Sequence, residues 1–243
     1  MSDLSQERIW IIGASSGIGA AVAKAYAKRG ASLILSARSQ GPLQALADEI
    51  GATALACDVG ERATIEEATA QIAQSGPLDR IIHLAALYDP GAIAELDHEK
   101  AAQLVQVNLM GTFHIAQLAP SLLREGGQLA LCGSVAGYIG LPKGQIYSAT
   151  KAAVINLTES LRAERKDRDI RLISPGFVST PMTAKNDFDM PAVITPDAAA
   201  TAIVRGLDGS GFEVHFPRRL TLALKLLRLL PYRISLALTK RIV

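Results

Sequence analysis

A tyrosine and a lysine four residues apart, Tyr147 and Lys151, are the residues of this chain whose types and spacing best fit acid/base chemistry. Side chains at positions i and i+4 of a helix lie on the same face, one turn apart. A free tyrosine has a pKa of about 10, and a fixed ammonium group beside it lowers that pKa. Such a tyrosine can donate a proton to a carbonyl oxygen or accept one from an alcohol. The spacing also occurs by chance on helix surfaces, so its meaning depends on the surrounding elements.

A glycine-rich turn follows the first predicted strand, residues 8–12. Its sequence is Gly13-Ala14-Ser15-Ser16-Gly17-Ile18-Gly19, and an alanine-rich helical stretch follows to Arg29. Backbone N–H groups at a helix N-terminus attract a pyrophosphate, and glycines let the backbone approach it closely. A tight strand-to-helix connection is the alternative, since G-x-x-x-G-x-G differs from the commonest dinucleotide-binding motif. The flanking strand and helix favour the nucleotide site.

The residues after the second predicted strand, 31–37, indicate which dinucleotide binds. A site for NAD has an Asp or Glu about 20 residues beyond the glycines, where it holds the ribose hydroxyls. This chain has no acidic residue between Glu7 and Asp48. Arg38 and Ser39 instead occupy the place where a 2′-phosphate would lie, and they offer a charge and a hydroxyl. A solvated arginine at a strand end is the alternative, but the missing acid favours NADP.

Strands and helices alternate along the rest of the chain. We predict helices at 43–50, 62–74, about 99–123 and roughly 144–165, and strands at 53–57, 80–84, 128–132, 170–174 and 212–216. Repeated strand–helix units predict an α/β fold: a single doubly wound parallel-sheet (Rossmann) domain with helices on both faces. Ligands bind such a sheet at the carboxyl ends of its strands. The predicted ends are Gly13, Arg38, Asp58, Ala85, Ser134 and Pro175.

The composition fits one domain in a reducing compartment. Hydrophobic residues make up 49% of the 243 residues, which is enough for a sizeable core. Cys57 and Cys132 lie in apolar runs, so we predict buried free thiols, and the four histidines show no metal-ligand spacing. The polar start of the chain is unlike a signal peptide, and no apolar run reaches the roughly 18 residues of a membrane span. We therefore expect a cytoplasmic protein without a metal.

Six motifs, in this order, resemble those of the short-chain dehydrogenase/reductase family, over about residues 8–216. They are the glycine turn at 13–19, Cys57-Asp58-Val59, Val107-Asn108, Gly133-Ser134-Val135-Ala136-Gly137, Tyr147-Ser148-Ala149-Thr150-Lys151 and Ser174-Pro175-Gly176. The resemblance implies a nicotinamide-dependent oxidoreductase.

The resemblance also implies roles for four catalytic residues. Ser134 would hold the reacting oxygen, and Tyr147 would exchange the proton. Lys151 would bind the nicotinamide ribose and lower the pKa of Tyr147, and Asn108 would hold a water that passes protons outward from Lys151. Two local alternatives stay open, since Asn108 could cap a kink in its helix and Ser134 could form a turn.

Together these observations predict an NADP(H) site. By resemblance, Asp58 would contact adenine and Thr180 the nicotinamide end. One departure is that the family's usual Asn-Asn-Ala-Gly after the fourth strand is here His83-Leu84-Ala85-Ala86. The predicted cofactor-binding residues are Gly13, Ser15, Ser16, Gly17, Ile18, Gly19, Arg38, Ser39, Asp58, Val59, Ala85, Tyr147, Lys151, Pro175, Gly176, Val178 and Thr180.

The leading functional hypothesis is an NADP-dependent enzyme, a homodimer or homotetramer, that interconverts a carbonyl and an alcohol on a lipophilic small molecule. One alternative is a 3-oxoacyl-thioester reductase of fatty-acid type. The other is a non-catalytic NADP-binding sensor or scaffold, which would need the cofactor site but not the four predicted catalytic residues. Residues 177–194, mostly polar and irregular, are predicted to form a flap over the substrate.

The charge of the chain is concentrated at its end. Net charge is +2, yet no acidic residue follows Glu213, and seven cations do: Arg218, Arg219, Lys225, Arg228, Arg233, Lys240 and Arg241. They lie in a leucine-rich segment rather than beside base-stacking aromatics, which argues against nucleic-acid binding. We predict a catalytic domain at 1–217 and an amphipathic helical tail at 218–243, broken at Pro231. The unpaired cations favour contact with an anionic membrane, whereas the broad apolar face favours packing on this domain or on a second subunit.

Overall fold

The computed structural model describes residues 7–240 and contains one seven-stranded sheet. The strands are β1 (Arg8–Ile12), β2 (Ser32–Ala37), β3 (Thr53–Ala56), β4 (Leu78–His83), β5 (Leu123–Cys132), β6 (Asp169–Pro175) and β7 (Glu213–Phe216). Their order is β3-β2-β1-β4-β5-β6-β7, and every neighbouring pair is parallel. The predicted doubly wound parallel sheet is confirmed, with its topological switch between β1 and β4.

Helices cover both faces of this sheet. They are α1 (Gly17–Ala27), α2 (Gln40–Ile50), α3 (Arg62–Ala73), α4 (His98–Val105), α5 (Thr112–Leu118), α6 (Gln145–Glu164), α7 (Pro196–Leu207), α8 (Arg218–Leu229) and α9 (Tyr232–Thr239). Within residues 7–240, no helix combines the length and the apolar character that crossing a membrane requires.

Strand β1 shows how the sheet is buried from both sides. Ile9 and Ile11 point into the core beneath α1 and α7, whereas Trp10 and Ile12 point into the core beneath α3 and α5. All four side chains are fully buried. Successive strand residues face opposite sides, and a parallel strand covered on both faces is therefore apolar throughout. This burial fixes the strand end from which the glycine turn emerges.

The single helix predicted at 99–123 is wrong in its middle and at its end. Helix α4 begins after Asp97, whose side chain accepts from the Lys100 N–H, and Gln106–Gly111 forms a π-helical turn before α5. Pro120 has no N–H to continue the helical ladder, so the chain tightens into a 3-10 turn at Ala119–Leu122. Strand β5 also starts earlier than predicted, at Leu123.

The tail forms two helices, α8 and α9, separated at Pro231 as predicted. Helix α8 packs against the domain through Leu224, which joins Val135, Tyr138 and Leu172 in a small third core. Arg241 and the start of the chain, residues 1–6, lie outside the described residues. The division into a domain at 1–217 and a tail at 218–243 stays a prediction.

Candidate active site

A cavity of about 330 Å³ opens at the carboxyl ends of strands β1 to β6. All seventeen residues predicted to bind the cofactor line this cavity, from the glycine turn at one end to Thr180 at the other. Ser134 lines it as well, whereas Asn108 does not. The structure therefore brings the predicted site together around one opening, and the individual roles stay predictions.

The glycine turn is shaped by close backbone contacts. Gly13 has a φ of +88°, and a Cβ atom there would lie 2.5 Å from the Ala85 nitrogen. A Cβ atom at Gly19 would lie 2.0 Å from the Gly13 oxygen. Ser16 precedes α1 in an extended conformation and makes no side-chain capping bond. The N–H groups of the first helical turn are thus not capped by Ser16 and face the cavity, as a pyrophosphate site requires.

Arg38 lies at the end of β2, exposed on the wall of the same cavity. Among residues 7–240 its guanidinium has no hydrogen-bond or ion-pair partner, so it is available to a ligand. Ser39 follows as the residue before α2, again with no side-chain capping bond. The pair offers a cation and a hydroxyl beside a helix N-terminus, which suits a phosphate.

Tyr147 and Lys151 occupy the first turns of α6, with their side chains directed into the interior. Lys151 is 2% exposed, and its Nζ donates to the Cys132 oxygen at 2.8 Å. The same nitrogen lies 5.8 Å from the centroid of the Tyr147 ring. Ser134 precedes a short turn, Val135–Gly137, that packs directly on α6. A Cβ atom at Gly137 would lie 2.7 Å from the Ala152 nitrogen, so only glycine lets this turn pack so closely on α6.

The sequence predicts that the pKa of Tyr147 is lowered. With the protein's own groups around it, this prediction is wrong. Burial is the largest cause and raises the pKa of Tyr147 well above its ordinary value, although the hydrogen bond with Ser134 acts in the opposite sense. Burial also lowers the pKa of Lys151. Desolvation disfavours the charged form of each group, and it is the largest cause of both shifts in pKa.

Asn108 lies in the π-helical turn and is fully buried. Its amide accepts from the Leu87 N–H at 2.7 Å and donates to the Leu87 oxygen at 2.9 Å. Its Nδ2 also lies 3.3 Å from Thr150 Oγ1 on α6. The helix is locally irregular at Asn108, as the kink alternative proposed, and the side chain ties the loop after β4 to α6. Its part in proton transfer stays a prediction.

His83 belongs to the same buried network. Thr112 Oγ1 donates to the backbone oxygen of Asn108 at 2.6 Å. The same hydroxyl therefore accepts from His83 Nε2–H at 3.1 Å. The other ring nitrogen, Nδ1, is buried without a partner among the described residues. Burial and, secondarily, the charge of Lys151 lower the pKa of His83 to about 3. The ring is therefore neutral at physiological pH.

Sequence reasoning missed a second, smaller cavity of about 70 Å³ beside Tyr147. Its wall is largely apolar and combines motif residues, among them Ser134, Tyr147 and Gly176, with side chains from loops that carry no motif. The side chains that were missed include Tyr88, Leu141, Phe177, Met182, Asn186 and Phe188. The sequence contained one signal of this cavity: Tyr88 and Phe177 lie shortly after the predicted ends of β4 and β6.

Residues 177–194 form an irregular loop over this second cavity, and Val178 and Ile194 pair at its base. Tyr88 ties the loop to Tyr147. Its ring packs edge-on against Tyr147 with centroids 4.8 Å apart, and its hydroxyl donates to Asn186 Oδ1 at 2.7 Å. The predicted irregular segment is confirmed, and its movement as a flap stays a prediction.

The fold and the main cavity define a dinucleotide-binding α/β protein. Comparison with known families and proteins then identifies the family. The model of the short chain dehydrogenase family matches residues 7–190. An uncharacterized oxidoreductase from Myxococcus xanthus is 30% identical over an alignment of 252 positions, which covers all of both chains. The chain belongs to the short-chain dehydrogenase family of oxidoreductases.

Two solved structures show that family members of this shape bind different dinucleotides. A short-chain dehydrogenase from Sphingobium yanoikuyae, in complex with NADPH, is 26% identical with a TM-score of 0.80, over 89% of this chain and 91% of that one. A short-chain dehydrogenase/reductase from Burkholderia phymatum, in complex with NAD, is 21% identical with a TM-score of 0.83, over 100% and 98%. The second likeness shows the fold alone, so the cofactor of this chain rests on its own residues.

Proposed function

We propose that this protein is an NADP(H)-dependent oxidoreductase that interconverts a carbonyl and an alcohol on a lipophilic small molecule, with Tyr147 as the proton donor and acceptor. One observation carries the proposal. Ser134 and Tyr147 line both cavities, the large one with the predicted cofactor residues and the small one with an apolar wall. Both hydroxyls thus stand where a cofactor and a substrate would meet.

The residues of the large cavity fit NADP(H). The uncapped first turn of α1 suits the pyrophosphate, and the glycines leave no side chain in its way. Arg38 has no acidic partner among residues 7–240 and would hold the 2′-phosphate, whereas an NAD site would carry an acid at this place. Lys151 would hold the ribose at the nicotinamide end. The bound dinucleotide would supply or accept the hydride.

The protein groups would supply the rest of the reaction. Ser134 and Tyr147 would orient the substrate oxygen through their hydroxyls and stabilise the negative charge that develops on it. Tyr147 would donate its proton to that oxygen during reduction and take it back during oxidation. The buried ammonium of Lys151 would add a favourable electrostatic contribution in a site that excludes water.

The wall of the small cavity supports a lipophilic substrate. Phe177 and Phe188 pack edge-on with centroids 5.8 Å apart, and Leu141 and Met182 add further apolar surface. Apolar surface of this kind stabilises a bound apolar group by about 25 cal/mol per Å² removed from water. Nothing in the wall selects a thioester, so no separate observation favours the fatty-acid alternative.

The non-catalytic alternative is opposed by the set of residues present. A protein that only senses NADP would need the cofactor site but not all of Asn108, Ser134, Tyr147 and Lys151, and this chain has all four. We further propose a homodimer or homotetramer. Val105, Met110 and Phe113, exposed apolar side chains on the α4–α5 segment, support this proposal. Action in the cytoplasm stays a prediction.

The decisive experiment measures NADPH oxidation on a panel of ketones, aldehydes and 3-oxoacyl thioesters, with the native chain and the Tyr147→Phe variant. Proton-transfer groups accelerate reactions roughly 10²–10⁴-fold, so we expect a loss of that size in kcat while NADPH still binds. Turnover of Tyr147→Phe near the native rate on any accepted substrate would contradict the assignment. Tyr138→Phe is the matched control, because Tyr138 contacts Glu213 rather than the cavities.

A further inference from the structure

The tail helix α8 contacts the domain through both polar and apolar side chains. Thr221 is fully buried and its Oγ1 lies 2.6 Å from His215 Nδ1. Lys225 pairs with Glu213 on β7, and Arg228 Nη1 donates to the Tyr138 oxygen at 2.8 Å. The sequence-based expectation that these cations are unpaired is therefore wrong for Lys225. Leu224 is buried with these polar groups, whereas the large apolar side chains of Leu222, Leu226 and Leu229 face outward.

Helix α9 is oriented in the same way. Its buried side chains are two small polar ones, Ser235 and Thr239, at 1% and 3% exposure. Its large apolar side chains, by contrast, point to the surface. Of thirteen exposed large hydrophobic side chains in the described part of the chain, eight lie on the tail: Leu222, Leu226, Leu229, Leu230, Tyr232, Ile234, Leu236 and Leu238. We call these eight residues the tail face.

The cations around the tail face are free. Arg218, Arg219, Arg233 and Lys240 are exposed, and within residues 7–240 none of them has an acidic partner. No acid follows Glu213 in the sequence, and Glu213 is already paired with Lys225. An apolar surface bordered by unpaired positive charges complements a surface that is apolar inside and anionic at its boundary.

We infer that the tail face binds the surface of an anionic lipid bilayer. Amphipathic helices lie in a membrane interface with their apolar side inserted and their cations among the headgroups. Both helices are too short to cross, so the contact would be peripheral. A symmetric contact between two copies is disfavoured, because it would place the four cations of one tail against the same four of the other without an intervening acid.

Co-sedimentation of the full chain with vesicles tests this inference. The probes are vesicles of phosphatidylcholine and vesicles of equal parts phosphatidylcholine and phosphatidylglycerol. We expect binding to the anionic vesicles that weakens as salt rises. The double substitution Leu226→Asp and Leu229→Asp should weaken binding roughly hundredfold or more, because two exposed leucines no longer leave water. Ile93→Asp is the matched control, since Ile93 is 77% exposed and Leu229 80%, yet it lies off the tail face.

A second variant keeps the test independent of the apolar substitutions. Arg219→Gln with Arg233→Gln should weaken binding to anionic vesicles roughly thirtyfold and change binding to neutral vesicles little. Lys28→Gln with Lys166→Gln, two exposed lysines elsewhere, is its control. NADPH binding by each variant reports that the domain is folded.

Two results would overturn the inference. One is that the full chain stays in the supernatant with anionic vesicles at low salt. The other is that the Leu226→Asp and Leu229→Asp substitutions lower the molar mass measured by light scattering, which would assign the tail face to a contact between copies. Neither result bears on the proposed reaction, which is measured without vesicles.

Discussion

At the scale of single residues, burial shifts the pKa values of two titratable groups in the candidate site. It raises the pKa of Tyr147 and lowers that of Lys151, which disfavours the charged form of each. The neutral phenol is the form that donates a proton to a carbonyl oxygen. A pattern of residue types indicates that two groups meet, but desolvation is a property of the folded interior. The sequence therefore predicted that Tyr147 and Lys151 lie together, but not that the pKa of Tyr147 is raised.

Arg38 is the residue on which the choice of cofactor depends. Replacing it by alanine removes a charge-assisted hydrogen bond to the 2′-phosphate, a contact worth roughly 1.5–3 kcal/mol. We expect Arg38→Ala to weaken NADPH binding about ten- to a hundredfold and to leave NADH binding nearly unchanged. Fluorescence titration with both dinucleotides makes the measurement. Equal losses for the two would show that Arg38 does not read the phosphate.

His83 should make the stability of the fold depend on pH. Its pKa is about 3 in the folded chain against an ordinary 6.5. Between these values the unfolded chain binds the additional proton, so the free energy of unfolding falls as the pH falls. From pH 6.5 to pH 5 we expect the native chain to lose roughly 2 kcal/mol relative to His83→Gln, whose side chain does not titrate. Urea unfolding at both pH values measures the difference, and parallel losses in the two proteins would contradict it.

At the scale of elements, two of the contacts that hold the loop at 177–194 over the small cavity differ in strength. Asn186 accepts from Tyr88 within the protein, whereas Asp187 pairs with Lys143 at the exposed surface. A hydrogen bond of the first kind contributes about 1 kcal/mol, and exposed ion pairs contribute less.

Loss of the Asn186 contact should therefore loosen the loop. We expect Asn186→Ala to raise KM roughly fivefold, with a smaller change in kcat, because the predicted flap would close over substrate without entering the chemistry. Asp187→Asn, the neighbouring substitution, should change KM little. Steady-state kinetics on a substrate from the panel compare the two. An equal effect of both variants would mean that Tyr88 does not hold the loop.

The elements themselves were largely predictable, and the exceptions have local causes. Alternating apolar runs and helical stretches predicted all seven strands, and central ones such as β1 are largely apolar because helices bury them on both faces. The π-helical turn at Gln106–Gly111 was not predictable, since its pattern of residues is that of an ordinary helix. It depends on Asn108 reaching Leu87, a contact made by folding. Beyond its motif residues, the wall of the small cavity comes from separate loops with no characteristic spacing in the sequence.

At the scale of the whole molecule, the tail shows that hydrophobic periodicity predicts helices but not how they are oriented on the domain. The sequence predicts two helices broken at Pro231, each with an apolar and a polar side. Which side faces the domain depends on contacts with Glu213 and Tyr138. Both residues precede α8, so the periodicity of the tail itself gives no information about these contacts. The result is a helix pair that leaves eight large apolar side chains exposed, whereas an ordinary surface helix keeps its apolar stripe against the core.

The two cysteines give the whole molecule a reporter of ligand occupancy. Cys57 and Cys132 are free and buried, and both lie on the wall of the large cavity. Burial raises the pKa of Cys57 to about 11 and also raises that of Cys132, so little of either thiol is present as the reactive thiolate. A colorimetric thiol reagent should label the native chain slowly, and saturating NADPH should slow it further, in Tyr147→Phe as in the native chain. Labelling would then report the fraction of cofactor sites occupied by NADPH, even in a variant with little turnover. Labelling rates that do not change with NADPH would show that the dinucleotide binds elsewhere.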